Sequence, residues 1–230
     1  LKSDELEPGV RWGISSFLAK ARKYNAGGYS ASLEQAPFNS LLLKVATVKR
    51  CVNDHSRSSH MRPVHVPSES TGDLGGSAVV QALEAQHMVP YFQPKICLKT
   101  NRMLGVEVLA RWQHPEKGLL LPSLFLDVVE QDQLHDQLFE CLLEQGLKLH
   151  KYLYSIGESL VFSYNIEASQ LLIEGFAQHL IKKVRKAGLP VRFITLEITE
   201  KQTLPLDMAS IENITTLIRS GVSLSLDDFG

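Results

Sequence analysis

From about residue 79 to its end, the chain alternates between two hydrophobic rhythms, and this constrains its fold more than any other feature. Runs rich in β-branched and aromatic residues, alternating with a period of two, are separated by helical patterns of about ten residues or more. The pattern predicts a helix over 79–87 and strands over 89–98 and 103–112. Helices then follow near 122–131 and 138–154, a strand over 160–166, a helix over 169–187, a strand over 192–199, a helix over 210–220 and a strand over 222–228. Alternation of this kind means βα units on a mostly parallel sheet, so the expected fold class is α/β. No apolar run approaches the roughly 18 to 20 residues of a membrane-spanning helix.

Upstream the rhythm is absent. Residues 53–76 are rich in Ser, Pro and Gly, cannot bury a core, and read as a linker assigned to 53–78. Its His55, His60 and His65 are spaced by five, which suits neither one helix face nor a common metal loop. Residues 1–52 form a short module with a turn at Gly27-Gly28 and a helix over 41–50, whose Leu41, Val45 and Val48 share a face. Lys plus Arg total 24 against 25 Asp plus Glu, a net charge of −1, so no global positive field recruits DNA or an anionic membrane. Three widely spaced cysteines, Cys51, Cys97 and Cys141, fit neither a disulfide framework nor a zinc motif, and a reducing cytoplasm is expected. The sequence starts at Leu1 and stops on a strand, so it is expected to be a fragment of a longer protein.

Chemistry concentrates where the strands are expected to end: Glu107, Asn165, Glu197 and the pair Asp227-Asp228. Ser163 shares a face with Asn165, Thr195 with Glu197, and Ser223 and Ser225 with Asp227, while the opposite faces are apolar. In a βα barrel such ends converge on the active face. A single strand-end carboxylate is usually a cap or rim residue, but several in matching phase point to a site. Carboxylates that meet need a neutralising cation. The ligand set holds oxygen only, which favours Mg²⁺ or Mn²⁺, with Ca²⁺ as a competitor, over zinc. Adjacent Asp227 and Asp228 could serve two ions, as in phosphodiester hydrolysis.

Arg111, in phase with Glu107, suits a phosphate clamp or equally a surface ion pair with Glu116. Gln93, read as the end of the first strand, could meet a base edge or cap a loop. Glu200 is out of phase with Glu197 and suits a supporting role. The sequon Asn213-Ile214-Thr215 lies in a helical pattern and is expected to be a chance match. Lys182, Lys183, Arg185 and Lys186 read as a solvated helix face.

The segments Tyr91-Phe92-Gln93-Pro94-Lys95, Gly105-Val106-Glu107-Val108-Leu109-Ala110-Arg111-Trp112 with His114-Pro115, Asn165, Leu196-Glu197-Ile198-Thr199-Glu200 and Asp227-Asp228-Phe229-Gly230 together resemble the EAL domain family of bacterial cyclic di-GMP phosphodiesterases, over residues 79–230. The resemblance implies a (β/α)8 TIM-like barrel, only partly covered by this chain, that opens cyclic di-GMP to linear pGpG in second-messenger signalling. By matched position, Glu107, Asn165, Glu197 and Asp227 would hold a first Mg²⁺ or Mn²⁺ and Asp228 a second, with Ca²⁺ an inhibitory competitor. Gln93, Leu109 and Arg111 would contact the dinucleotide, and Glu200 would brace the loop after Asp227. The alternative within the family is a catalytically inactive receptor for the dinucleotide.

Where the family has Glu-Ala-Leu, this chain has Glu107-Val108-Leu109, and the extra methyls are expected to face away from the ligand. The 230 residues alone are expected to be inactive and the intact protein active. Residues 1–52 more loosely resemble the C-terminal part of a response-regulator receiver domain, with Ala36-Pro37-Phe38 where receivers carry Lys-Pro-Phe. That resemblance implies a sensor kinase as a possible partner. A homo-oligomer is also expected.

Overall fold

Six residues, 97–102, join the first two strands, β1 (Met88–Ile96) and β2 (Met103–His114), too few for the crossover that a parallel pair requires. The two strands pair antiparallel, with Gln93 opposite Glu107 and Tyr91 opposite Leu109. These strands belong to a computed structural model that describes residues 75–97, 99–100, 102–199 and 207–227. The receiver-like reading of 1–52, and most of the linker, lie outside the described residues.

Helix α1 (Gly76–Glu84) precedes β1 and begins three residues before the expected start. Beyond β2 a hairpin that the sequence reading missed adds β3 (Gly118–Leu120) antiparallel to β2. Its turn is held by His114 Nδ1, which accepts from the Glu116 and Lys117 amides at 3.1 Å each, and by Gly118 at φ 71°. A 3-10 turn at Pro122–Leu124 leads into α2 (Leu126–Gln131), then α3 (His135–Ser155) and β4 (Val161–Ile166). The helix expected over 169–187 is broken. A 3-10 turn (Ala168–Leu172) comes first, and α4 (Phe176–Lys186) starts only after Gly175, whose φ of 80° no right-handed helix accepts. Strand β5 (Ile194–Thr199), α5 (Met208–Ser220) and β6 (Ser223–Asp227) complete the described chain.

The sheet order is β1-β2-β4-β5-β6, with β3 attached to β2. From β2 through β6 the neighbours on this path are parallel, as the rhythm predicts, so the antiparallel start corrects the expectation only at its first pair. Pro90 and Pro94 sit on β1, at the outer edge of the described sheet, where a strand tolerates a missing N–H. The predicted phase holds on β2, β4 and β5, whereas on β6 Leu224 is only half-buried and Leu226 is exposed. Val106, Val108, Phe162, Tyr164, Ile166, Ile194, Leu196 and Ile198 are all buried. Burying each stabilises the fold by about 1.5–3 kcal/mol. Val108 lies in this core, so its extra methyls pack among apolar side chains, on the strand face opposite Glu107.

Helix α3 packs Leu138, Leu142, Gly146, Leu149 and Leu153 inward at helical spacing. Gly146 is required by contact, because a Cβ there would lie 2.4 Å from Tyr164 Oη. Of the basic cluster on α4, Lys182, Arg185 and Lys186 are exposed as expected. Lys183 instead ties α4 to α3 through Glu140 and through Glu144 at 2.9 Å.

His150 on α3 is fully buried and stacked on Phe162, with ring centroids 4.1 Å apart and planes 7° from parallel. Burial lowers its pKa from 6.5 to about 4, against a smaller opposite pull from the Leu160 backbone. The unfolded chain therefore binds a proton between these values that the folded chain refuses. The stabilisation is complete above pH 6.5 and is lost as pH falls toward 4, a swing of about 3 kcal/mol. Thermal unfolding of His150→Phe from pH 7.5 to 4.5 is expected to show a shallower loss of midpoint than the parent. Parallel pH profiles would instead remove His150 as the source.

Candidate active site

Glu107 is the fifth residue of the twelve in β2, not its end, because β2 runs on into the hairpin with β3. What ends there is the parallel pairing: β2 and β4 run in register from Gly105↔Val161 to Val108↔Tyr164. The expected convergence at strand ends therefore applies to the parallel part of the sheet. Likewise Gln93 lies within β1, three residues before its end and opposite Glu107, not at a strand terminus.

Three neighbouring parallel strands bring three predicted residues together. Glu107 is in register with Ser163, and Asn165, two residues further along β4, is in register with Glu197. The Asn165 amide donates to Glu107 Oε1 at 3.2 Å. Glu107 and Glu197 are 4% and 5% exposed, unusual for carboxylates, while Asn165 is exposed. Asp227 ends β6 opposite Thr199 in the backbone register. Asp228 and Glu200 lie outside the described residues.

Leu109 and Arg111 share the Glu107 face and are half-buried. Of the two readings of Arg111, the surface pair with Glu116 is not the arrangement found. Arg111 Nη1 donates to the Ala110 carbonyl at 2.7 Å, and the guanidinium lies 5.5 Å from the centre of the Tyr91 ring. Burial pushes the Tyr91 hydroxyl above its ordinary value, opposed by the nearby Arg111 charge. The same burial lowers the Arg111 pKa, opposed by Tyr91.

Sequence reasoning missed Lys95. Its ammonium donates to Ser163 Oγ at 2.9 Å and pairs with Glu197 Oε1. The available signal was its phase: Lys95 lies two residues after Gln93, on the same strand face. On a flat sheet the path from β1 to β5 crosses three strand spacings, roughly 14 Å, well beyond a lysine side chain. The contact therefore shows that the sheet curls, as in part of a barrel.

Among the described residues no group of three or more His, Cys, Asp or Glu could hold a metal ion. The described part of the site contributes two buried carboxylates and one amide oxygen. Oε2 of Glu197 is buried without a hydrogen-bond partner. A buried, unpartnered carboxylate oxygen in an all-oxygen set fits a hard divalent cation. Cys97 and Cys141 are free thiols, and no helix among the described residues is long and apolar enough to cross a membrane.

The EAL domain family model matches residues 77–230. The cyclic di-GMP phosphodiesterase RocR of Pseudomonas aeruginosa is 37% identical over 152 residues, covering 66% of this chain and 39% of RocR. The cyclic di-GMP phosphodiesterase PdeL of Escherichia coli is 29% identical over 154 residues, 66% of this chain and 42% of PdeL. Among solved structures, the PaMucR phosphodiesterase in complex with c-di-GMP superposes with a TM-score of 0.61 at 30% identity, covering 67% of this chain and 63% of that one. The chain thus spans about two-fifths of the length of these two curated relatives. On the family match and the strand register together, the chain belongs to the EAL domain family over residues 77–230.

Proposed function

We propose that the protein hydrolyses one phosphodiester of cyclic di-GMP to linear pGpG. The observation that carries this reading is the two buried carboxylates, Glu107 on β2 and Glu197 on β5, the strands that flank β4, whose Asn165 donates to Glu107 and stands in register with Glu197. Support comes from relatives named as phosphodiesterases of this dinucleotide and from a similar structure in complex with it.

Glu107, Asn165, Glu197 and Asp227 would hold a first Mg²⁺ or Mn²⁺, Asp228 would contribute to a second, and Ca²⁺ would compete. Such ions supply Lewis-acid polarisation of the phosphoryl oxygens and acidify water. The chain's own residues do the positioning. Asn165 fixes one oxygen of Glu107. Arg111, backed by Tyr91 and anchored through Nη1, has further N–H groups to offer a phosphate. Gln93 and Leu109 flank Glu107 and contact the dinucleotide, and Glu200 braces the loop that follows Asp227-Asp228-Phe229-Gly230. Water adds to phosphorus, the 3′ oxygen leaves with a proton, and the 5′-phosphate stays on the product.

The same proposal takes residues 1–52 as receiver-like with a sensor kinase as partner, 53–78 as linker, and a cytoplasmic homo-oligomer with a closed barrel. The test is incubation of the full-length protein with cyclic di-GMP and Mn²⁺ or Mg²⁺, followed chromatographically. Linear pGpG is expected, abolished by EDTA. Tight binding of an uncleaved dinucleotide by metal-loaded protein would instead establish a receptor.

A further inference from the structure

Lys95 stands on the outermost strand of the described sheet, yet its ammonium reaches Glu197 on β5 and Ser163 on β4. The Lys95 side chain is 38% exposed and that of Glu197 only 6%, so a half-solvated cation is tethered to a buried anion. It engages Oε1, while Oε2 of the same carboxylate has no partner. Ser163, itself 2% exposed, holds the ammonium from a second side. Two contacts on different strands fix the amine rather than leaving it to wander at the surface.

We propose that Lys95 is the resident counter-ion of the carboxylate site, neutralising Glu197 in the cation-free protein and competing with an incoming divalent ion for that carboxylate. This rests on the divalent site proposed above and deepens it. A buried carboxylate without any cation is costly, and removing one member of such a pair leaves the other uncompensated. The lysine therefore allows the sheet to fold before metal arrives. It also works against the divalent ion, because a unit positive charge beside Glu197 lowers the affinity of the site for further positive charge. By linkage, what stabilises the cation-free state reduces the stabilisation that metal adds. Lys95 is thus a positioning and charge-compensating residue, not a catalytic one.

The test uses the full-length protein as parent, Lys95→Met and Lys95→Gln, with thermal unfolding in EDTA and Mn²⁺ binding by electron paramagnetic resonance titration. Both variants are expected to unfold about 5 °C or more below the parent in EDTA. They are also expected to bind Mn²⁺ about tenfold tighter. In the Glu197→Gln background the Lys95 substitution should cost nothing further in EDTA. Unchanged or weaker Mn²⁺ affinity in both variants would overturn the proposal, because a merely structural lysine leaves affinity unchanged or lowers it. A parent that binds no Mn²⁺ would overturn the divalent site itself, whereas a parent that binds Mn²⁺ as tightly as its Lys95 variants sinks only the role of Lys95.

Discussion

Glu107→Gln in the full-length protein is expected to lower cyclic di-GMP turnover by about 10³-fold or more, while its thermal midpoint stays at or above that of the parent. The substitution keeps the shape and one carbonyl oxygen, so the Asn165 amide retains its acceptor and the β2–β4 contact survives. What goes is a negative charge in a site where Glu107 is 4% exposed and Glu197 5%. For folding, removal of a buried charge at Glu107 offsets any lost hydrogen-bond strength. For catalysis, losing one ligand of the proposed two-metal site would remove several kcal/mol of transition-state stabilisation, and about 4 kcal/mol corresponds to 10³ in rate. Turnover assays beside calorimetry on the same preparation separate the two effects. A variant within tenfold of the parent rate would place Glu107 outside the chemistry.

The second large effect falls on stability. Asn213, 1% exposed on α5, accepts from the Ala177 amide at 3.0 Å and donates to the Leu171 and Ile173 carbonyls at 2.8 Å each. It thereby joins three segments: α5, the start of α4, and the turn that follows β4. The Ala177 N–H in the first turn of α4 is one of the groups that helix ends leave without an intrahelical partner. Asn213→Ala strands the buried Ala177 N–H and the buried Leu171 carbonyl, while the Ile173 carbonyl keeps the Phe176 amide as donor, and a cost of about 3 kcal/mol is expected. Thermal unfolding should show a midpoint lower by about 5–10 °C. Turnover per folded molecule at low temperature should stay within about twofold, because the residue touches no site group. A midpoint within 1 °C of the parent would contradict this reading. The same burial explains why the sequon at Asn213 is a chance match: all of its polar atoms are engaged in the interior.

Much of the fold was legible because strand phase is a local property. Alternation placed Phe162, Tyr164, Leu196 and Ile198 on one face, all buried, and Ser163, Asn165 and Glu197 on the other, where Ser163 and Glu197 are covered too and Asn165 is exposed. The antiparallel first pair was readable in principle from the six-residue connection of β1 to β2, but the period-two pattern is the same in either direction. The break at Gly175 was hidden because the apolar spacing continues from Leu171 to Leu180 across it. In the site, the backbone register could not be read from single strands, which is why Gln93 and Glu107 were assigned to strand ends. Lys95 escaped for a further reason: its partners lie two and three strands away, and only the curl of the sheet brings them within reach.

The most direct measurement is hydrolysis of cyclic di-GMP by the intact protein with Mn²⁺ in ¹⁸O-labelled water, read by mass spectrometry of the product. The account predicts linear pGpG with one labelled oxygen on its 5′-phosphate and no product in EDTA. Recovery of unlabelled, uncleaved dinucleotide from a folded protein that binds both the metal and the ligand would contradict it.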